Sequence, residues 1–455
     1  MNTAAQSSKS AAQTLAAYAT SLKYEDIPAE VLTRAKACIL DTIAVASFGA
    51  SLPWCRIVNE YSLQNSAPGR ATVLGTPLKV RAPFAALANG AAGHAFEMDS
   101  LVQPGVGVHV GTSLLAPGLA IAQECGASGK ELLTAFVAGS EIMYRVGDAS
   151  RHSPEKVGFH SPGLTGVFGG AVTAGLLLKL DSARMALALG IGGSLCSGLL
   201  EFSKSGGGMV KRLHLGRAAE GGVMAASLAR DGFTGPDQVF EGKFGFFKVF
   251  CDEVDPPRLT AGFGSTWHTM KTMMKRYPCH ITAHVPVTAV LELKAAHGIK
   301  GEDIASINVA SSEKMVSHHN IPEPQDITMA QYSTPFCVAL AFFSDPRDPK
   351  AFSEAAIADT QIRALCRKVT LQADHELVKD NQLATRLTVT LKDGRVITHE
   401  AREFPGMPRR PLTDAELREK FDRVVTGIAP ATAARLFEQF AALETVKDVS
   451  ALEFI

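Results

Sequence analysis

Four short segments of this chain gather the side chains best suited to proton transfer, each broken by glycine or proline. The first, Asn89–His109 (NGAAGHAFEMDSLVQPGVGVH), reads as a helix carrying His94, Glu97 and Asp99, followed by a Pro/Gly loop that returns His109. His94 and Glu97 stand three apart and so share one face of that predicted helix. The plain alternative is a helix end with solvated acids and a loop histidine. The second, Gly158–Gly166 (GFHSPGLTG), sets His160 in a turn just before a very apolar helix. The positive end of a helix dipole favours neutral imidazole, the form a base needs, although a capping role would use the same residue. The third, Gly206–Gly216 (GGGMVKRLHLG), presents Lys211, Arg212 and His214 behind a glycine run. A lysine placed there could hold a carboxylate or an enolate-like charge, and the segment alone fits an exposed basic turn equally well. The fourth, Lys275–His284 (KRYPCHITAH), offers Lys275, Arg276, His280 and His284, the two histidines four apart and on one side if helical.

That spacing also admits zinc, but no third ligand stands at metal spacing, and acid–base use is the expectation, with no metal. Cofactor motifs are absent from the sequence: there is no GxGxxG after a strand, no Walker loop, no HEXXH and no GxSxG elbow, so no cofactor is expected.

The elements that must position these residues fall into two textures. From Ala11 to about Ala261 the pattern is helical, with long Ala/Leu/Ile/Val runs of period near 3.6 and short Gly/Pro/Asp turns. In Ile27–Ala50, Pro28 suits a first helical turn, and Val31, Ala35, Ile39 and Ile43 are four apart. Stretches such as GGAVTAGLLL and ALGIGGSLCSG are dense in small residues, which predicts helices whose backbones approach closely. After about Phe263, strand-like runs appear at Ile304–Ala310, Lys368–Gln372, Arg386–Leu391 and Val396–His399, with helical pattern at Val285–Ala296 and Thr334–Phe343. Lys392-Asp393-Gly394 between the last two strands signals a hairpin. Thr413 with Glu416 three residues on is a capping box that opens a closing helix. The expected fold is mainly α: a large all-helical domain (1–264), a smaller α+β domain (265–400), and a helical return (401–455).

A chain of 455 residues exceeds what one core comfortably fills, and 46% hydrophobic with 20% charged residues supports large buried cores. Formal net charge is zero, which gives no support for nucleic acid or an anionic membrane as partner. The eight scattered cysteines form no CxxC pair, and the polar start lacks a signal-peptide core, so a soluble, cytoplasmic protein with reduced thiols is expected.

The segments RAKACILDTIAVASFGA, NGAAGHAFEMD, GFHSPGLTGVFGGA, KRLHLGRAAEGGVMAASLARDGFTGPDQVFEGKFGF, KRYPCHITAHVPVTAVLEL and AQYSTPFCVALAF occur in an order that resembles the MmgE/PrpD family, from about Ala12 onward. That family includes 2-methylcitrate dehydratases, cis-aconitate decarboxylases and iminodisuccinate epimerases. The resemblance implies a homodimer, no metal or iron–sulfur cluster, and a small polycarboxylate substrate. It places site residues on Glu97, Asp99, His109, His160, Lys211, His280 and His284; the residues themselves offer Lys275 or Arg276 as cations that could support Lys211 in binding the substrate.

The first functional expectation is a cofactor-independent hydro-lyase of the 2-methylcitrate dehydratase kind. In it His109 or His160 takes a proton beside a carboxylate, Lys211 steadies the intermediate, and another histidine protonates the departing hydroxyl. The alternatives are an epimerase or isomerase, a cis-aconitate-type decarboxylase, and a non-catalytic relative. The usual acidic motif is HxxDxDD followed by a small hydroxyl residue, whereas this chain has His94, Glu97, Asp99, Ser100 and Leu101. The loop to His109 is about two residues longer than usual, with Val108 and Val110 around the histidine. A carboxylate moved by one methylene can cost on the order of a hundredfold in rate, so a substrate other than that of the best-known members is expected.

Overall fold

A computed structural model describes residues 9–102, 106–204 and 208–454. Gly206 and Gly207 of the glycine run and residues 103–105 of the loop before His109 lie outside the described residues. The chain forms two compact units, one of Met1–Ala95, Asp99–Thr272 and Val425–Ile455, the other of Phe96–Met98 and Met273–Val424.

The first unit is helical, as its sequence texture predicts. The helices that matter for function are α1 (Ala29–Ala50), α2 (Ala82–Gly93), α3 (Val110–Cys125), α4 (Gly129–Ala149), α5 (Ser161–Leu177) and α6 (Val210–Arg230). Every residue from Cys38 to Ala50 of α1 is buried, as is nearly all of α5, so these helices lie inside the bundle rather than on its rim. Their small residues set the spacing. A Cβ on Gly216 of α6 would stand 2.6 Å from the Leu87 carbonyl oxygen of α2, and one on Gly90 would stand 2.8 Å from the Leu215 carbonyl oxygen. Only glycine on both sides allows this crossing at close-packed density.

The all-helical expectation needs one correction: an antiparallel ribbon pairs β1 (Pro68–Thr72) with β2 (Lys79–Val80). Pro68–Thr72 (PGRAT) shows no apolar–polar alternation and Lys79–Val80 is too short to show one.

The second unit holds a four-stranded sheet in the order β4-β3-β5-β6, with β3 Ile304–Ser311, β4 Val369–Ala373, β5 Thr385–Leu391 and β6 Val396–Ala401. β5 alternates buried and half-buried along its length, one face turned to the core. It pairs antiparallel with β6 through the anticipated turn, where Gly394 adopts φ +88°. β3 runs parallel to β4, and a parallel pair cannot be joined by a hairpin. The crossover spans residues 312–368 and includes α8 (Thr334–Phe343), which follows α7 (His284–His297) in the chain. Ser333 caps α8 by accepting from the Phe336 amide at 3.0 Å. The capping box at Thr413 and Glu416 forms as read, opening α9 (Asp414–Val424). Among the described residues no single helix is long and apolar enough to cross a membrane.

Candidate active site

The acidic segment is not the continuous helix its spacing suggested. α2 ends at Gly93, His94 is its C-cap, and Glu97 sits at φ +56°, where a helix cannot continue. Glu97 belongs to the second unit and His94 to the first, so the two do not share a helical face.

In the first unit the turn brings Asp99 under two imidazoles. Its Oδ2 lies 2.8 Å from His94 Nδ1 and 2.7 Å from His109 Nδ1. A carboxylate only accepts, so both Nδ1 atoms donate, and whenever a ring is neutral its Nε2 carries the lone pair. Burial raises the Asp99 pKa, but the two histidines outweigh it and hold the carboxyl well below its ordinary range. His94 is pushed down to about 4 by burial, Asp99 pulling against this and Lys211 adding to it. His94 is enclosed, whereas the His109 side chain keeps 15% of its surface exposed.

His109 is the N-cap of α3 and His160 the N-cap of α5, so both rings stand at positive helix ends. The Thr165 hydroxyl of α5 donates to the Gly107 carbonyl at 2.5 Å, and Ser100 Oγ accepts from the Gly111 amide at 3.0 Å. These two bonds tie the loop around His109 to α3 and α5. His160 Nδ1 meets His214 Nδ1 at 3.1 Å, and its ring centre is 5.7 Å from that of His94. Burial, then His94, Lys211 and His214, holds His160 well below the usual histidine value. Lys211 is buried in the first turn of α6, and its charge, after burial, helps push His214 down to about 4.

His94, Asp99 and His109 each offer one ligand atom within 4.8 Å of the others, a cluster able to hold a metal that the sequence reading did not identify. Ligands of a tetrahedral zinc at about 2.0–2.1 Å stand roughly 3.4 Å apart. Here both nitrogens approach a single oxygen at 2.7 and 2.8 Å, the separation of charge-assisted hydrogen bonds. The present arrangement is a hydrogen-bonded carboxylate between two oriented imidazoles.

The second unit carries its own polar cluster. Lys275 Nζ lies 3.0 Å from Glu97 Oε2, with 2% and 3% of the side chains exposed. Lys420 Nζ donates to the Lys275 carbonyl at 2.6 Å and the Met98 carbonyl at 3.2 Å, and Gln331 Nε2 donates to the Phe96 carbonyl at 3.0 Å. The Tyr332 hydroxyl stands 3.5 Å from Glu97 Oε1. His280 receives its place from its own amide, which donates to the Gln331 carbonyl at 2.8 Å, and from His319, whose ring stacks on it at 4.0 Å. His319 in turn donates from Nδ1 to the Tyr332 carbonyl at 3.0 Å. Burial, then His319 and Lys275, holds His280 well below the ordinary value, and burial takes His319 to about 4.

His280 and His284 do not share a helical face. His280 caps the short turn Ile281–Ala283, and His284 begins α7. His284 is fully buried, with Nδ1 against the His280 carbonyl at 3.3 Å and the Cys279 sulfur at 3.6 Å, while Nε2 accepts from the Tyr277 amide at 3.4 Å. Arg276 pairs with Glu419 and donates to the Glu416 carbonyl, which anchors α9. The structure thus gathers Asp99, His109, His160 and Lys211 in one unit and Glu97, Lys275 and His280 in the other, and gives Arg276 and His284 partners elsewhere. His94 and His214 were visible in the segments but not chosen. His319, Gln331 and Tyr332 come from the β3–β4 crossover; Gln331 and Tyr332 lie in the AQYSTPFCVALAF segment without standing out there by residue type, and no local pattern marks His319.

The chain matches the MmgE/PrpD N-terminal domain over residues 13–259 and the MmgE/PrpD C-terminal domain over residues 277–444. It is 30% identical to a cis-aconitate decarboxylase of Aspergillus terreus, over 96% of this chain and 93% of that protein. It is 28% identical to the cis-aconitate decarboxylase of Homo sapiens, over 91% of this chain and 87% of that protein. A 2-methylcitrate dehydratase of Cupriavidus necator is 25% identical, over 83% of this chain and 82% of that protein.

Proposed function

The chain belongs to the MmgE/PrpD family, and we propose that within it the protein is a lyase that releases CO2 from an unsaturated tricarboxylate of the cis-aconitate class. The observation that carries the reading is the pair of Asp99-oriented imidazoles, which supplies a proton-exchanging Nε2 on His109 at the partly exposed end of the cluster. The similarity to cis-aconitate decarboxylases supports CO2 as the leaving group.

The chemistry follows from the substrate class. The bond to the carboxylate on the methylene carbon breaks, CO2 leaves, and the electron pair moves into the double bond and toward the far carboxylate. Lys211 steadies that charge. His109, protonated at Nε2, gives its proton to the carbon at the far end of the allylic system, and solvent restores it. Asp99 holds the ring charged before the step and neutral after it, the part a carboxylate plays behind a catalytic imidazole. One proton enters for each CO2 lost.

Dehydration is the second reading, favoured by the similarity to 2-methylcitrate dehydratase. It uses the same Nε2 in the opposite sense, to remove a proton. The eight cysteines form no disulfide, which supports a reducing, cytoplasmic setting, and exposed Phe233 and Phe244 on the first unit support a homodimer. The test is incubation of the enzyme with cis-aconitate, 2-methylcitrate, citrate and iminodisuccinate, following products by proton NMR. CO2 with an α-methylene diacid from cis-aconitate is the expected result. Alkene formed only from 2-methylcitrate would replace this reading with the second.

A further inference from the structure

The first turn of α6 carries two neighbouring cations, Lys211 and Arg212, at the positive end of the helix dipole, with no acidic residue in that turn. Such a placement costs stability, so a gain elsewhere must offset it. Successive residues on a helix point about 100° apart, and the two side chains take different directions. The Lys211 charge reaches the imidazoles of His94, His160 and His214. Arg212 turns to the backbone instead. Its Nε donates to the Ala95 carbonyl at 3.2 Å, and its Nη1 donates to the Gly208 carbonyl. The guanidinium is buried, and its carbon lies 5.3 Å from the centre of the Trp54 ring on the helix Pro53–Asn65. The contacts between α2 and α6 follow one line: Gly216 against Leu87, Leu215 against Gly90, then Arg212 against Ala95. By that last contact α2 has ended at Gly93, and the backbone that follows carries His94 and then Asp99. Arg212 thus ties the turn that presents Lys211 to the turn that presents the Asp99 cluster, all within the first unit.

We propose that Arg212 is a positioning residue for Lys211: its guanidinium, seated beside Trp54, fixes the first turn of α6 against the turn after α2, so that the Lys211 ammonium stands at a set distance from the oriented imidazoles. The kinetic consequence rests on the lyase reading above; the link itself does not. Arg212 exchanges no proton and touches no reacting atom. Its planar fork suits the task, because one rigid group serves two carbonyls in fixed directions, which a single ammonium on a flexible stem does not. The precision matters, since a displacement of about 1 Å in a charge-stabilising group can cost on the order of a hundredfold in rate.

The experiment is a double-variant cycle on the full chain, read by kinetics on cis-aconitate and by 15N NMR of His214, whose signals are identified by their loss in His214→Gln. Arg212→Met is expected to lower kcat about ten- to a hundredfold, with KM changed less than about twofold, because the developing charge needs the ammonium in place more than the bound substrate does. In the Lys211→Met background the same substitution should cost less than about threefold, since the group it positions is gone. The His214 pKa should obey the same rule. It rises from about 4 in Arg212→Met, and it moves no further when Arg212→Met is added to Lys211→Met. Arg212→Lys keeps the charge without the fork and should fall between wild type and Arg212→Met; it takes the place of Arg212→Met in the cycle if the methionine variant does not fold. Equal kcat losses in both backgrounds would overturn the proposal and leave Arg212 a prop of the fold. A His214 pKa unmoved by Arg212→Met, or full activity in Arg212→Lys, would overturn it too. Should the wild type turn over none of the acids, the lyase reading fails while the His214 cycle still decides the link.

Discussion

His109 and His94 donate to the same atom, Asp99 Oδ2, across 2.7 and 2.8 Å. One buried carboxylate therefore orients two rings, of which only His109 is partly exposed. The charge of that carboxylate, as well as its shape, is what the proposed chemistry uses. Asp99→Asn can keep an oxygen facing both rings while losing the charge. It is expected to lower kcat by about a hundredfold or more with little change in KM, because an imidazolium at His109 is then unsupported. Steady-state kinetics checks this; unchanged kcat would reduce Asp99 to a spacer.

Lys211 is the cation of the first cluster, buried and close enough in charge terms to act on His94, His160 and His214. Lys211→Met should cost about a hundred- to a thousandfold in kcat/KM, the range for removing one group that stabilises developing negative charge. The same substitution relieves the push on His214, so the pKa of that histidine should rise from about 4 when followed by NMR. A loss below fivefold would place the charge-stabilising role elsewhere.

The Glu97–Lys275 pair is nearly sealed from solvent, at 3% and 2% exposure. Removing one partner leaves a buried charge, so Lys275→Met should destabilise the fold by about 3–5 kcal/mol in urea unfolding. Glu97→Gln with Lys275→Met should recover much of that loss. Additive losses in the double variant would mean that the two charges do not support one another.

Acid should unfold this protein early. Folded His94 titrates near 4, chiefly because burial disfavours its charge, against an ordinary 6.5, and His319 behaves alike. Between those values the unfolded chain binds protons that the folded chain refuses, so stability rises with pH. It is fully present above 6.5 and is lost as pH falls through about 4. Urea midpoints measured from about pH 7 down to about pH 4.5 should fall steadily, and His94→Gln should flatten the slope. A midpoint independent of pH over that interval would contradict the neutral, buried histidines.

Much of the architecture was legible because it rests on local chemistry. The period of α1, the hairpin at Gly394, the cap at Thr413 and the helix over Thr334–Phe343 are written in adjacent residues. His160 before an apolar helix was likewise readable, and it stands at the N-cap position of α5, with its ring turned to His214 rather than to the helix amides. The site was harder where a turn decided the outcome. Spacing put His94 and Glu97 on one face, but the left-handed Glu97 separates them into different units, and periodicity carries no signal for a single residue at positive φ. His284 had the right type and neighbourhood, yet its partners are Tyr277 and Cys279, a fact of packing. His319 and Tyr332 reach the second cluster only because a parallel strand pair forces a long crossover past it.

The most direct test is proton NMR of the wild-type enzyme acting on cis-aconitate in D2O. Carbon protonation by a solvent-exchangeable His109 Nε2 predicts an α-methylene diacid carrying one deuterium per CO2 released, with His109→Ala losing both together. Product without deuterium, or deuterium entry undiminished in His109→Ala, would contradict proton delivery from the Asp99-held imidazole.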